Sequence, residues 1–251
     1  MKVYSITVSG YIAHFRRPIQ NQSKQTYRIP PRTTICGFLA GGLGLEPDSY
    51  YQYFTPDKTQ IGVRIHTDIS IKNTPKTFKS IESTQSISFG ESTVGMLKPA
   101  EMKGSVQRKN VEYIRNPTYT FYITTSDDDL EEKLHGLSED RWMYPPYLGS
   151  NECGASIKDV STHNATQIHA DKETVHSIIP APTVETIIPA QDYSVKREKI
   201  AVNFTQTNNG RRKPTNYITY NYTKQKTNNP TVIPKENTSF ISINNHNILL
   251  Y

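Results

Sequence analysis

A chain of 251 residues with a formal net charge of +6 and 35% hydrophobic residues can bury a substantial core, which excludes a peptide-sized or purely disordered protein. Its sixteen Tyr and eight Phe, with many Ile, Val and Thr, are strand-forming material. No stretch approaches the roughly 18 apolar residues that a membrane span needs, so no membrane partner is expected. Cys36 and Cys153 lie in unrelated contexts, which argues against a disulfide framework or zinc site and fits a reducing cytoplasm.

Val3 to Val8 alternates as a first strand, with Tyr4, Ile6 and Val8 on one face, and breaks at Gly10. Tyr11 to Phe15 leads into Arg16-Arg17-Pro18 and a polar stretch. Tyr27-Arg28-Ile29-Pro30-Pro31 must be extended, because a residue before proline is pushed out of the helical region. A helix therefore starts only afterwards. Thr33 or Thr34 is expected to cap the run Ile35 to Leu45, whose apolar face is Ile35, Phe38, Leu39, Ala40 and Leu43. Gly37, Gly41 and Gly44 fall near one face, so a sheet or a bound strand must approach that backbone closely. Gln60 to Ile71 alternates as a strand.

From Lys72 to about Arg108 the pattern dissolves over a length too great for an ordinary loop, which marks a projecting arm or a disordered segment. Val111 to Thr124 is a strand, with Tyr119, Phe121 and Ile123 on one side. Ser126 is expected to cap a short helix whose three aspartates sit at the positive end of its dipole and which Gly136 stops. That acidic run is helix chemistry and not a metal site. From Ile157 strands and polar loops continue to Ile248–Tyr251, an apolar end expected to dock. The order of elements is the βαββαβ outline of a ferredoxin-like, RRM-like α+β domain, a sheet that many RNA-binding modules use. Residues 1–160 would form it, with the arm inserted at about 72–110, and residues 161–251 a basic β-rich region.

Charge placement points to a polyanion. Residues 191–230 hold eight Lys or Arg against Asp192 and Glu198, and the first 45 residues hold Lys2, Arg16, Arg17, Lys24, Arg28 and Arg32 with no carboxylate before Glu46. Each cation at a phosphate releases counterions and adds affinity. No enzyme constellation accompanies this charge. Gly41-Gly42-Leu43-Gly44 closes a helix where a dinucleotide loop would open one. His163, His169 and His176 share no helical face and have no Cys partners, and Cys36 reads as a buried small hydrophobe. No metal or cofactor is expected. One reaction stays open, metal-free RNA cleavage by His14, Tyr27 and Arg28, although a lone His beside Phe15 is more often packed or contacting RNA.

Gly10-Tyr-Ile-Ala-His-Phe-Arg-Arg17 and Thr26-Tyr-Arg-Ile-Pro-Pro-Arg-Thr-Thr-Ile-Cys-Gly-Phe-Leu-Ala-Gly-Gly-Leu-Gly-Leu45 closely resemble a CRISPR-associated family of RAMP proteins, the "Cas five" family, whose members cap the 5′ end of guide RNA in type I Cascade complexes. Gln107-Arg108-Lys109-Asn110, Asn116-Pro117-Thr118-Tyr119 and Pro146-Tyr147-Leu148-Gly149-Ser150-Asn151-Glu152-Cys153 look like its later landmarks. The resemblance covers residues 1 to about 160 and is closest to type I-B. It implies a non-catalytic subunit that grips the crRNA 5′ handle, contacts backbone-filament RAMP subunits and the large Cascade subunit, and meets target DNA indirectly. It also implies that Lys72 to Arg108 is a β-hairpin thumb that displaces a base at the handle–spacer junction. On this resemblance Arg16, Arg17, Tyr27, Arg28, Arg32 and Thr33 meet phosphates or stack on handle bases, Arg108 and Lys109 anchor the thumb base, and Tyr147, Ser150 and Asn151 line the opposite wall. A minority branch cleaves precursor RNA with a Tyr and a Lys-His pair near the thumb base. Gln107-Arg108-Lys109-Asn110 has no His there, so precursor processing is the alternative reading, and an unrelated basic β-rich module is a second.

Overall fold

The computed structural model describes residues 1–18, 23–79, 106–139, 141–190, 194–206, 212–224, 229–236 and 238–251. The chain opens with β1 (Lys2–Gly10), the short strands β2 (Ile12–Ala13), β3 (Phe15–Arg16), β4 (Ser23–Lys24) and β5 (Thr26–Tyr27), and helix α1 (Arg32–Gly42). It continues through β6 (Thr59–Ile65), β7 (Ile71–Lys79), β8 (Val106–Arg115), β9 (Thr118–Thr125), α2 (Asp128–Ser138) and β10 (Ala155–Asn164). Strands β10, β1, β9 and β6 hydrogen-bond in that spatial order, each pair antiparallel. Among the described residues, no helix is long and apolar enough to cross a membrane.

The remaining chain is almost all strand: β11 (Thr166–Ile168), β12 (Glu173–Thr174), β13 (Ile179–Pro180), β14 (Val184–Ile188), β15 (Val195–Gln206), β16 (Arg212–Thr223), β17 (Thr231–Pro234), β18 (Phe240–Ile243) and β19 (His246–Ile248). These strands explain why β1 is buried on both faces, where its alternation implied one. Tyr4, Ile6 and Val8 join Ile35, Leu39, Phe121 and Ile123 in the main core, while Val3 and Tyr122, on the opposite face, pack with Ile241, Ile243 and Ile248. The expected boundary near residue 160 is crossed by the core, since Ile178, Ile200, Tyr220 and Tyr222 belong to the main cluster. The apolar end docks as expected, with Ile248 and Leu249 buried and the backbones of Tyr251 and Ile61 hydrogen-bonded both ways.

Several local expectations are corrected. α1 begins at Arg32, one turn before the expected run, and Pro31 at its cap offers no side-chain hydrogen bond. The proline's fixed φ presets the helix entry instead. α2 is capped by Asp127, whose carboxylate accepts from Leu130 N, and it runs past Gly136 to Ser138. The expected strand from Gln60 to Ile71 ends at Ile65 and restarts at Ile71, and the one from Val111 to Thr124 is two strands parted at Asn116-Pro117. Asn116 adopts a left-handed φ of 44°, a turn conformation asparagine tolerates. The stem of the expected arm is a β7–β8 antiparallel ladder from Ile71↔Ile114 to Lys79↔Val106, and residues 80–105 lie outside the described residues.

Where the sheet meets the C-terminal strands, burial disfavours the charged form of three histidines. Burial above all, then Arg64 and His246, pushes His66 down to about 4, and burial is also the main cause lowering His176 and His246. The His176 and His246 rings lie 4.9 Å apart, and His66 Nε2 is 2.7 Å from Thr120 Oγ1. A folded-state value below the usual 6.5 means the neutral ring stabilises the fold. That stability is present above pH 6.5 and is lost as pH falls from there toward 4. We expect the melting temperature to drop between pH 7 and pH 5, and the drop to shrink in His66→Gln. Equal slopes for both proteins would count against this placement.

Candidate nucleic-acid interface

The base of the β7–β8 hairpin collects positive charge. Strand β8 meets β7 antiparallel and β4 in parallel, so Lys76 sits directly opposite Lys109, and Lys24 sits beside Val111. Like charges facing across a ladder destabilise it, so this pairing has a cost. The Lys24 ammonium is pushed below its ordinary value by burial first and then by repulsion from Arg16, Lys109 and Lys76, which places four cations in one field. Lys24 Nζ also lies 3.6 Å from the Phe78 ring centroid, a cation–π contact that fixes its direction. Glu152 offsets part of the charge: it takes Lys76 Nζ at 2.5 Å and the Tyr113 hydroxyl at 2.5 Å. A phosphodiester strand laid here would relieve the repulsion.

His14 lies beneath this cluster and not on it. Its Nδ1–H donates to the Glu112 carbonyl at 2.8 Å, the ring packs 5.6 Å from that of Tyr113, and burial foremost lowers its pKa. Its backbone N–H donates to Leu148 O at 3.1 Å, which ties the loop after Pro146 to the hairpin base. Gly149 is the tight point of that crossing. Its φ is +88°, and a Cβ would stand 2.2 Å from His14 O.

The same loop walls a second feature. One side of α1 buries Ile35, Cys36, Leu39 and Ala40; burial pushes the Cys36 thiol up to about 11, so it is an inert core group, as the sequence suggested. The other side is the floor of an open groove of about 690 Å³ lined by Thr33, Gly37, Gly41, Tyr50, Tyr144 and Tyr147, among others. Tyr144 and Tyr147 are 60% and 48% exposed. The glycine face is therefore not packed on a sheet. A Cβ at Gly41 would meet nothing within 4 Å and one at Gly37 would meet Tyr50 Oη at 3.4 Å, whereas one at Gly42 would lie 2.5 Å from the Trp142 ring. Helix glycine costs about 1 kcal/mol relative to alanine. We expect Gly41→Ala to raise stability by about 1 kcal/mol in urea unfolding, and Gly42→Ala to lower it. The reverse ordering would contradict the open groove.

The family model for CRISPR-associated protein (Cas_Cas5) matches residues 3–230. The chain belongs to the Cas5 family. A crystal structure of a CRISPR protein from Archaeoglobus fulgidus superposes with a TM-score of 0.56 at 13% identity, covering 99% of this chain and 98% of that one. A chain of a CRISPR RNA-guided surveillance complex superposes at 0.51 and 13% identity, covering 92% and 91%. These likenesses show a shared fold, which in the described residues of this chain is mostly strand with helices α1 and α2. A search of curated proteins finds no match.

In this Cas5 chain the residues singled out from sequence separate into groups. Arg16 and Lys109 share the cationic field, with Arg108 on the same strand opposite Thr77. Thr33 and Tyr147 line the groove, and Ser150 and Asn151 continue its wall loop, where Ser150 O accepts from Cys153 N. Arg17 and Arg28 turn inward. Arg17 pairs with Glu198 and lies 5.1 Å over the buried Tyr27 ring, while Arg28 pairs with Glu112 at 3.0 Å and donates its backbone N–H to Glu198 at 2.8 Å. Burial raises Glu198 despite these partners. Arg32 overturns its expectation: it is 1% exposed, and its guanidinium donates to Phe54 O and Thr59 O at 2.7 and 2.6 Å. It anchors the start of α1 and does not face a phosphate. Sequence reasoning missed Lys24 and Lys76 as site residues, and Tyr50, Tyr144 and Gly149 as groove residues. Lys24 carried a signal as one of the cations of the carboxylate-free N-terminal region, Gly149 as part of the Pro146–Cys153 run, and Tyr144 as an aromatic within a Pro-rich run.

Proposed function

We propose that this chain is a non-cleaving, RNA-holding subunit of a CRISPR effector complex, and that it grips the 5′ handle of crRNA and caps the backbone filament. The observation that carries the reading is the like-charged quartet of Arg16, Lys24, Lys76 and Lys109, with the Lys76↔Lys109 pair directly opposed. Family membership gives that charge its partner class. Phosphates of the handle meet the quartet, and its bases stack against Tyr144 and Tyr147 in the glycine-floored groove. The spatial order of β10, β1, β9 and β6 with α1 and α2 between them supports a ferredoxin-like palm, and the β7–β8 ladder supports a thumb stem rising from it.

The precursor-cleaving alternative needs a base at the surface. His14 is buried with Nδ1 committed to the Glu112 carbonyl, and the Tyr113 hydroxyl is committed to Glu152, so neither is poised to take a ribose proton. Incubating purified chain with CRISPR repeat RNA in EDTA tests the reading. Tight binding that weakens steeply with salt, with the RNA intact, is expected. A discrete cut that His14→Ala abolishes would overturn it.

A further inference from the structure

A carboxylate stands among the cations of the hairpin base. Glu152 lies in the turn of the loop after Pro146, and its two oxygens are divided between two donors: Oε2 accepts from Lys76 Nζ and Oε1 from the Tyr113 hydroxyl, each at 2.5 Å. These contacts, Lys76 first, hold its carboxyl below the usual range, and its field also reaches Lys24 and His14. An ammonium and a phenol are donors of the kind that bond phosphate oxygens. Glu152 therefore offers them the charge and the paired acceptors of a phosphodiester. The contact is easily broken. Both side chains of the ion pair are partly exposed, where such a pair contributes little. The loop backbone is pinned independently of it, by His14 N donating to Leu148 O, Leu148 N to Cys153 O and Cys153 N to Ser150 O. The side chain can swing out while the loop stays.

We propose that Glu152 is a displaceable stand-in for one phosphate of the RNA: it occupies Lys76 and Tyr113 in the unbound chain and is expelled when the strand arrives. This inference rests on the handle-binding reading and adds to it the residue that sets how readily the site fills. An isolated phosphate anion would gain at Lys76 only what Glu152 gives up. A strand held also by Arg16, Lys24 and Lys109 delivers its next phosphate to Lys76 as an intramolecular step, at high effective concentration, and the exchange tips toward RNA. The carboxylate thus keeps small anions off Lys76, for which that contact is all there is. It costs a long strand only a fraction of its affinity.

The test is a double-mutant cycle on the full chain, with anisotropy titrations of labelled repeat RNA over a range of salt for the native protein, E152Q, K76A and K76A/E152Q. Glutamine keeps the size of the side chain and removes the charge that competes. E152Q should bind at least threefold tighter, a gain that misfolding cannot mimic. Its log–log salt slope should be steeper by up to about 0.7, one phosphate on a single strand, because no expelled carboxylate takes mobile cations back. In the K76A background the same change should do little, since Glu152 then holds no ammonium in the strand's place. A gain that persists in full without Lys76 would make Glu152 a general repulsive charge and overturn the proposal. So would unchanged or weaker binding by E152Q beside a native chain that binds, which would make Glu152 a brace for the stem and leave the handle-binding reading intact. Absence of RNA binding by the native chain would bring down that reading and this inference together.

Discussion

Replacing Lys24, Lys76 and Lys109 together by glutamate is expected to abolish guide-RNA binding and leave the chain folded. In the native hairpin base these ammoniums repel one another, and Lys24 is held below its ordinary value partly for that reason. A phosphate strand converts the repulsion into attraction, and on a single strand each phosphate neutralised contributes about 0.7 to the salt slope. Losing three contacts should flatten that slope by about 2 and weaken binding by at least 100-fold at moderate salt. Folding is spared because all three side chains are partly exposed and glutamates at 76 and 109 only exchange one like-charge pair for another. The Lys76–Glu152 bridge is itself partly exposed on both sides, so losing it costs little stability. The milder K24A/K109A keeps that bridge and should lose about tenfold. Anisotropy with labelled repeat RNA measures both, with circular dichroism as the folding control. Undiminished binding by the glutamate variant would remove the hairpin base from the interface.

Gly149→Ala should be the most damaging small substitution in the groove wall. At φ +88° any Cβ is strained, and this one would lie 2.2 Å from His14 O, 2.8 Å from its carbonyl carbon and 2.9 Å from Phe15 Cδ1. Neither backbone nor a core ring can swing away. Left-handed strain costs about 1–2 kcal/mol, and the clash takes the total to about 3 kcal/mol or more. For a chain of this size that is a fall of roughly 6–12 °C in melting temperature. Gly154→Ala, in the same loop with nothing within 4 Å of a Cβ, should be close to neutral. Thermal melts of the pair decide it, and equal values would mean that the loop does not cross His14 as described. Because this crossing joins groove to hairpin base, Gly149→Ala should also weaken RNA binding.

Legibility followed the range of the interactions. Period-two alternation and proline chemistry placed β1, β6 and the delayed start of α1 to within a few residues, because those signals are local. The acidic first turn located α2, although the capping carboxylate is that of Asp127 and not the Ser126 hydroxyl. Arg32 was misread because its partners, Phe54 O and Thr59 O, lie 22 and 27 residues away, and a buried arginine looks the same in sequence as an exposed one. Arg17 and Arg28 were drawn inward by Glu198 and Glu112, 181 and 84 residues distant. Conversely, Lys76 sits in a Thr-, Ser- and Lys-rich tract without periodicity, and only the β7–β8 register sets it against Lys109. The glycine spacing set the expected close approach on the face of Gly37, Gly41 and Gly44, whereas the tightest contact along α1 is at Gly42. It could not say that Trp142 takes Gly42 while Gly41 faces an open groove.

Photo-cross-linking most directly tests whether one strand of RNA lies across the hairpin base and the groove. Repeat RNA bearing 4-thiouridine at successive handle positions is irradiated on the full chain, and the adducts are mapped by mass spectrometry. Adducts on the peptides that carry Lys24, Lys76, Lys109, Tyr144 and Tyr147 are the predicted result. Adducts confined to α2 and the β11–β14 strands, with those peptides clean, would contradict it.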